Sequence, residues 1–177
     1  MSVTLSLTDV QIFTALRSFL LAILPAGTEV VKGLDNRVSE PAGSNFVIMM
    51  PLLRERLGTN TVSYVPTVAF TRSDLAPTQV SIQLDVHGPL GADNAQTIIT
   101  LFRSEWAVDQ FATYGYDITP LFTSDPRQLP FENAEQQIEV RYSIDVVLQA
   151  NVITTVSQQF ANAINIGLVD IDVEFHP

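Results

Sequence analysis

The feature that most restricts the fold of this chain is the stretch from Ile138 to Leu148. There Ile138, Val140, Tyr142, Ile144, Val146 and Leu148 alternate with residues that are mostly polar, among them Glu139, Arg141, Ser143 and Asp145. An alternation of period two sends one set to each side of a strand, so this segment has to lie in a sheet with one face buried. Thr78 to His87 repeats the pattern: Val80, Ile82, Leu84 and Val86 face one way, and Ser81, Gln83, Asp85 and His87 the other. Near the C-terminus Val169, Ile171, Val173 and Phe175 alternate with Asp170, Asp172 and Glu174, which predicts another strand whose acidic face protects a sheet edge.

The apolar sides of these strands need a cover, and helical periodicity supplies it. Between residues 8 and 24, Ile12, Leu16, Phe19, Leu20 and Ile23 share one face at α-helical spacing. Thr8 and Gln11 have the spacing of a capping box, and Pro25 and Gly27 end the helix. Asp93 reads as the cap of a second helix, with an apolar stripe of Ala95, Ile98, Ile99, Phe102 and Trp106 and with Gly115 beyond its end. Shorter strands are expected at Glu29–Gly33, at Ile118–Thr123 and at Phe46–Met50, whose unbroken apolar run suits a strand covered on both faces. Residues 52–57 read equally as the start of a helix or the continuation of that strand. The turn-rich segment Leu34–Ser44 reads as a long hairpin loop, and 58–77 and 124–133 as further long loops. The pattern is that of a single α+β domain, residues 1–177, with a largely antiparallel or mixed β-sheet flanked by two or more α-helices.

Charge narrows the function. The 19 acidic residues against 9 basic ones give a net charge of −10, and Lys32 is the single lysine. Wrapping nucleic acid depends on many Lys/Arg–phosphate contacts, so the balance speaks against that class; an acidic surface repels DNA or meets a basic protein. The charge is uneven, with 7 acidic and 6 basic residues in 1–88 but 12 and 3 in 89–177. Charged residues total 16%, below the ~25% of an average soluble domain, which points to surface reserved for other protein. Without cysteine there is no disulfide framework, thiol nucleophile or cysteine zinc site. The apolar stretch Val10–Leu24 is interrupted by Thr14, Arg17 and Ser18 and is shorter than the ~18–20 residues of a membrane span. Residues 1–9 lack the basic start of a secretory signal, so a soluble protein away from membranes is expected.

Catalytic chemistry finds little footing. No GxSxG elbow, GxxxxGK[ST] loop or GxGxxG turn occurs, so a non-enzymatic protein without cofactor or metal is expected. A metal site can be drawn from His87, Asp85 and Asp93, but one imidazole beside two carboxylates better suits a strand-end histidine hydrogen-bonded to a neighbour. Glu132, Glu135 and Glu139 read as a solvated charge cluster, since acid/base work needs two environments of different polarity. Trp106 and the ten phenylalanines read mostly as core; Phe131, in a proline-rich loop, is either core or a partner-facing anchor. The excess of arginine over lysine favours protein contacts, because guanidinium pairs carboxylates bidentately. Arg37 near Asp35 and Glu40, Arg54, Arg56, and Arg127 near Asp125, Gln128 and Glu132 are the candidate contact residues. They either brace their own loops or cross to a neighbour.

In order along the chain, Val30-Val-Lys-Gly-Leu-Asp-Asn-Arg-Val38, Asp85-Val-His-Gly-Pro89 with Ala92-Asp-Asn-Ala95, Leu101-Phe-Arg103, and Asp125-Pro-Arg-Gln-Leu-Pro-Phe-Glu-Asn-Ala-Glu-Gln-Gln137 resemble the phage neck terminator proteins. That group is similar to tail terminator and tail completion proteins. The resemblance runs from about residue 10 to the C-terminus. Met50-Pro51 departs from it, as Thr is expected before the proline, though either residue can end a strand. The resemblance implies a virion protein, assembled in the host cytoplasm, that forms a homo-oligomeric ring, expected to be a hexamer, on the head-proximal end of the tail tube. It would stop tube polymerisation, offer its other face to the head–tail connector and, in a contractile tail, meet the last sheath ring. DNA would pass through the lumen without specific binding.

A terminator has to match the tube end yet present a different opposite face; a heterologous contact closed by rotation allows this, whereas an open contact continues as a filament. Segments 34–45, 58–77 and 124–133 are the expected contact elements. On the residues alone two other readings stay open: another phage tail component, such as a tube or sheath-terminating protein, and a small-ligand-binding or hydrolytic domain.

Overall fold

The computed structural model describes residues 3–34, 41, 43–66, 70–132 and 138–159. In chain order its elements are β1 (Val3–Leu5), α1 (Asp9–Ile23), β2 (Glu29–Lys32), β3 (Phe46–Arg56), β4 (Thr61–Val65) and β5 (Thr71–His87), then α2 (Gly91–Phe102), α3 (Glu105–Thr113), β6 (Ile118–Thr123), β7 (Arg127–Glu132) and β8 (Ile138–Ser157). The two alternating segments are the axis of the sheet. β5 and β8 pair antiparallel from Thr71 opposite Ser157 to His87 opposite Arg141. Shorter strands line both sides of this ribbon: β3 and β4 pair with β5, β2 pairs with β3, and β7, β6 and β1 follow one another along the far side of β8.

Directly paired residues share a face, so the register builds one apolar surface from Val47 and Met49, from Val80, Ile82, Leu84 and Val86, and from Ile144, Val146 and Leu148. All three helices close over it. Ile12, Leu16, Phe19 and Leu20 of α1, Ala95, Ile98 and Phe102 of α2, and Ala107 and Phe111 of α3 are buried with it in one cluster. The capping box of α1 forms, with the Thr8 side chain on the Gln11 amide and the Gln11 side chain returned to the Thr8 amide.

Several expectations are corrected. β2 and β3 are parallel, so segment 34–45 is not a hairpin loop: parallel neighbours oblige the chain to travel back before re-entering the sheet. Residues 35–40 and 42 of that segment lie outside the described residues. The run Phe46–Met50 is not covered on both faces, because only Val47 and Met49 are buried. Nor does its strand end at Pro51; a register shift between Pro51 and Leu53 accommodates the missing N–H, and β3 continues to Arg56, which settles residues 52–57 as strand.

Segment 58–77 is no loop either, but the hairpin of β4 and the first part of β5. Segment 124–133 is largely β7, paired with β8 from Arg127 opposite Ser143 to Glu132 opposite Ile138. The stripe from Ala95 to Trp106 is split between α2 and α3, and α2 begins at Gly91, so Asp93 stands in its first turn and is not its cap. Trp106, Phe70 and Phe122 are 40%, 46% and 50% exposed and are not core residues. The strand expected at 169–175 lies outside the described residues.

Candidate interface surfaces

Beyond the helices the sheet continues as an arm. Residues 71–77 of β5 and 151–157 of β8 run on with β4 and β1 at their sides, and no residue of the arm is fully buried. By register Val3, Leu5, Val62 and Tyr64 lie on the face that the helices cover further along, and all four are exposed. The charges of the arm are satisfied locally: Arg72 grips Asp74 through Nε at 2.9 Å and Nη2 at 2.8 Å, which holds the guanidinium more firmly charged than usual.

A basic margin runs along the β2 edge. Asp9, in the first turn of α1, accepts from Lys32 Nζ at 2.9 Å and Arg54 Nη2 at 2.6 Å. Lys32 also stands 4.6 Å from the centre of the Phe13 ring. Arg17 donates Nε–H to the Val30 carbonyl at 3.0 Å. Between these groups lies a groove of about 280 Å³, lined by Val10, Phe13, Thr14, Arg17, Val30, Lys32 and Met49. Arg56 follows Arg54 on the same face of β3, and among the described residues it has no hydrogen-bond or ion-pair partner.

Partial burial pushes the Asp9 carboxyl up, but the hydrogen bonds and charges of Lys32 and Arg54 outweigh it and hold the group below its ordinary value. A carboxyl lowered in the folded state lends stability that is complete above the unfolded value, about pH 4, and fades as the pH falls through the lower folded one. Asp9 is half exposed, so solvent screening limits the effect. Asp9→Asn is expected to cost less than about 1 kcal/mol at neutral pH and nothing at a pH below both values. Urea unfolding of both proteins across that range checks this; a gap that persisted in acid would contradict the ion-pair account.

The opposite edge carries an acidic margin. α3 packs on β6, which among the described residues pairs only with β8, and Arg103 at the end of α2 ties this edge together by donating to the Thr123 hydroxyl and carbonyl. Glu105 and Asp109 on α3 and Asp125 after β6 are exposed and form no ion pair among the described residues. On α3 the apolar side chains of Trp106 and Val108 are exposed beside these carboxylates, and Phe122 is exposed on the other face of β6.

The residues singled out by sequence are thus distributed over both edges. Arg54 and Arg56 belong to the basic margin and Asp125 to the acidic one. Arg127 is braced within its own chain by Asp145 at 2.8 Å and forms no ion pair with Asp125 beside it. Gln128 receives a long contact from the Tyr142 hydroxyl at 3.5 Å. Phe131 and Glu132 lie on β7, and their side chains, like Arg37 and Glu40, are outside what is described. His87, Asp85 and Asp93 are not brought together: Asp85 takes Arg141 at 2.6 Å and Gln83 at 2.9 Å, His87 stacks on Phe46 with ring centres 4.5 Å apart, and Asp93 faces out from α2. Sequence reasoning missed the grouping of Arg17, Lys32 and Arg54 around Asp9, because α1, β2 and β3 meet only through the parallel crossover.

Two unlike margins with apolar centres, at opposite edges of one sheet, define a protein suited to contacts with other proteins. The chain belongs to the phage neck terminator family, whose model matches residues 10–173. Among solved structures it is similar to the sheath/tube terminator of an extracellular contractile injection system, PVC, in the extended state, with 10% identity and a TM-score of 0.44. That alignment covers 96% of this chain and 66% of the other, so this chain spans about two thirds of that protein's length. No curated protein matches it at a significant level.

Proposed function

We propose that this protein is a non-enzymatic structural component of the virion. It forms a homo-oligomeric ring, a hexamer, on the head-proximal end of the tail tube, ends tube polymerisation there and joins the tail to the head–tail connector. In a contractile tail the last sheath ring is a further neighbour. The observation that carries this reading is membership of the neck terminator family over residues 10–173. The two dissimilar edges support it physically, because a ring built by rotation needs two different, complementary surfaces on each subunit. The net charge of −10 supports passage of DNA through the lumen without adhesion. Residues 1–177 act as one domain, assembled in the host cytoplasm, and Arg37, Glu40, Arg54, Arg56, Asp125, Arg127, Gln128, Phe131 and Glu132 are contact residues with the ring or its neighbours.

Native mass spectrometry of the purified protein, followed by pull-down on purified tail tubes, tests this reading. Six copies per particle and attachment to tube ends are expected; a monomer that ignores tubes at every concentration sinks it.

A further inference from the structure

We propose that neighbouring copies meet through the two margins: the basic groove between α1 and β3 of one copy receives the acidic α3–β6 edge of the next. This contact presupposes the ring proposed above and names the surfaces that close it. Charge, position and shape each support it. The groove edge is positive, since Arg17, Lys32, Arg54 and Arg56 stand around Asp9, whereas Glu105, Asp109 and Asp125 on the other edge form no ion pair among the described residues. These charges belong to one chain, so a second copy supplies the complement of each edge.

The margins lie at the β2 and β6 edges of the same sheet, on opposite sides of the β5–β8 ribbon. A contact between them is head to tail and leaves each copy with one edge of each kind to offer, the condition for a closed ring. The groove has an apolar lining of Phe13, Met49 and the 71% exposed Val10, and the α3 side of the facing edge presents the half-exposed ring of Trp106 beside the exposed Val108. Aromatic anchors seated in an apolar pocket within a charged rim are the usual composition of a contact that holds. Three of the acidic residues of the second half, Glu105, Asp109 and Asp125, are thereby assigned to subunit contact.

A charge exchange tests the pairing. Arg54→Glu with Arg56→Glu makes both edges of a copy acidic, and Glu105→Arg with Asp109→Arg makes both basic, so each variant alone should lose the ring by native mass spectrometry. An equimolar mixture should restore it, because acidic and basic edges again alternate around an even-numbered ring. Far-UV circular dichroism establishes that each variant is folded. If either charge variant does not fold, Val10→Glu, at an exposed position in the groove, reads the same contact and should also release monomers.

Variants that keep the ring overturn the proposal and leave the acidic edge to the lumen or to another partner. Folded variants that lose the ring yet fail to restore it on mixing overturn the pairing of these two edges. A wild-type protein that forms no ring overturns the ring reading itself, and this contact with it.

Discussion

Phe19→Ala is expected to destabilise the fold by about 3–5 kcal/mol and to lower Tm by roughly 10 °C or more. The side chain is fully buried on α1, and its ring meets three others: Phe102 edge-on at 5.6 Å, Phe111 at 5.3 Å and Trp106 at 5.9 Å. Phe102 belongs to α2 and the other two to α3, so this one side chain links all three helices above the sheet. Truncation removes its transfer energy and leaves a cavity between three helices that the sheet beneath holds apart, which is the circumstance in which a site collapses least. Thermal unfolding followed by circular dichroism reads the loss. A shift of only a degree or two would mean that the helices do not share this aromatic centre. Because α1 carries the basic margin and α3 borders the acidic one, the variant should also weaken ring formation at temperatures where it is still folded.

Gly88→Ala should be nearly as damaging, on the order of 3 kcal/mol or more. Gly88 joins β5 to α2 with φ +102°, a conformation that side chains rarely adopt. A Cβ there would also run into the Ser44 carbonyl and the Asn45 side chain, and neither side can yield freely: Asn45 Oδ1 accepts from the Leu90 amide at 3.0 Å, and the Gly88 amide itself is held by the Val140 carbonyl at 3.1 Å. The glycine of the Asp85-Val-His-Gly-Pro89 motif therefore has a backbone reason. It lets the turn press against the strand entry at β3 without a side chain between them. Denaturant unfolding should show a lower midpoint with an unchanged slope; an unaltered midpoint would rule out the close approach.

How far the fold was legible followed burial. Where β5 and β8 lie under helices, one face is apolar and the alternation of Val80–Val86 and Ile144–Leu148 announces a strand. In the arm no residue is fully buried, so nothing selects a period of two. Thr71 to Pro77 and Asn151 to Ser157 therefore carry no strand signal, although they pair residue by residue. Pro77 also stands inside this stretch. It is tolerated inside β5 because its carbonyl, which accepts from Leu57, points between the end of β4 pairing and the start of β3 pairing, where a missing N–H deprives no ladder of a bond. Pro130, in the segment that its prolines made read as a loop, sits on β7, an outer strand among the described residues.

The break between α2 and α3 escaped because Trp106 continues the apolar spacing across it. The helix breaks at the extended Ser104, and Arg103 beside it donates to Thr123, a distant contact that spacing does not register. The interface residues were half legible. An excess of arginine, Arg56 among it, is visible as composition, whereas the cluster at Asp9 depends on three elements converging.

The central claim, that this protein ends the tail tube, is tested most directly by electron microscopy of phage particles assembled without it, with tail length and head attachment measured on the same grids. The account predicts tubes of abnormal, variable length, detached from filled heads, and recovery of uniform attached tails when the protein is supplied again. Heads bearing attached tails of normal length in its absence would contradict it.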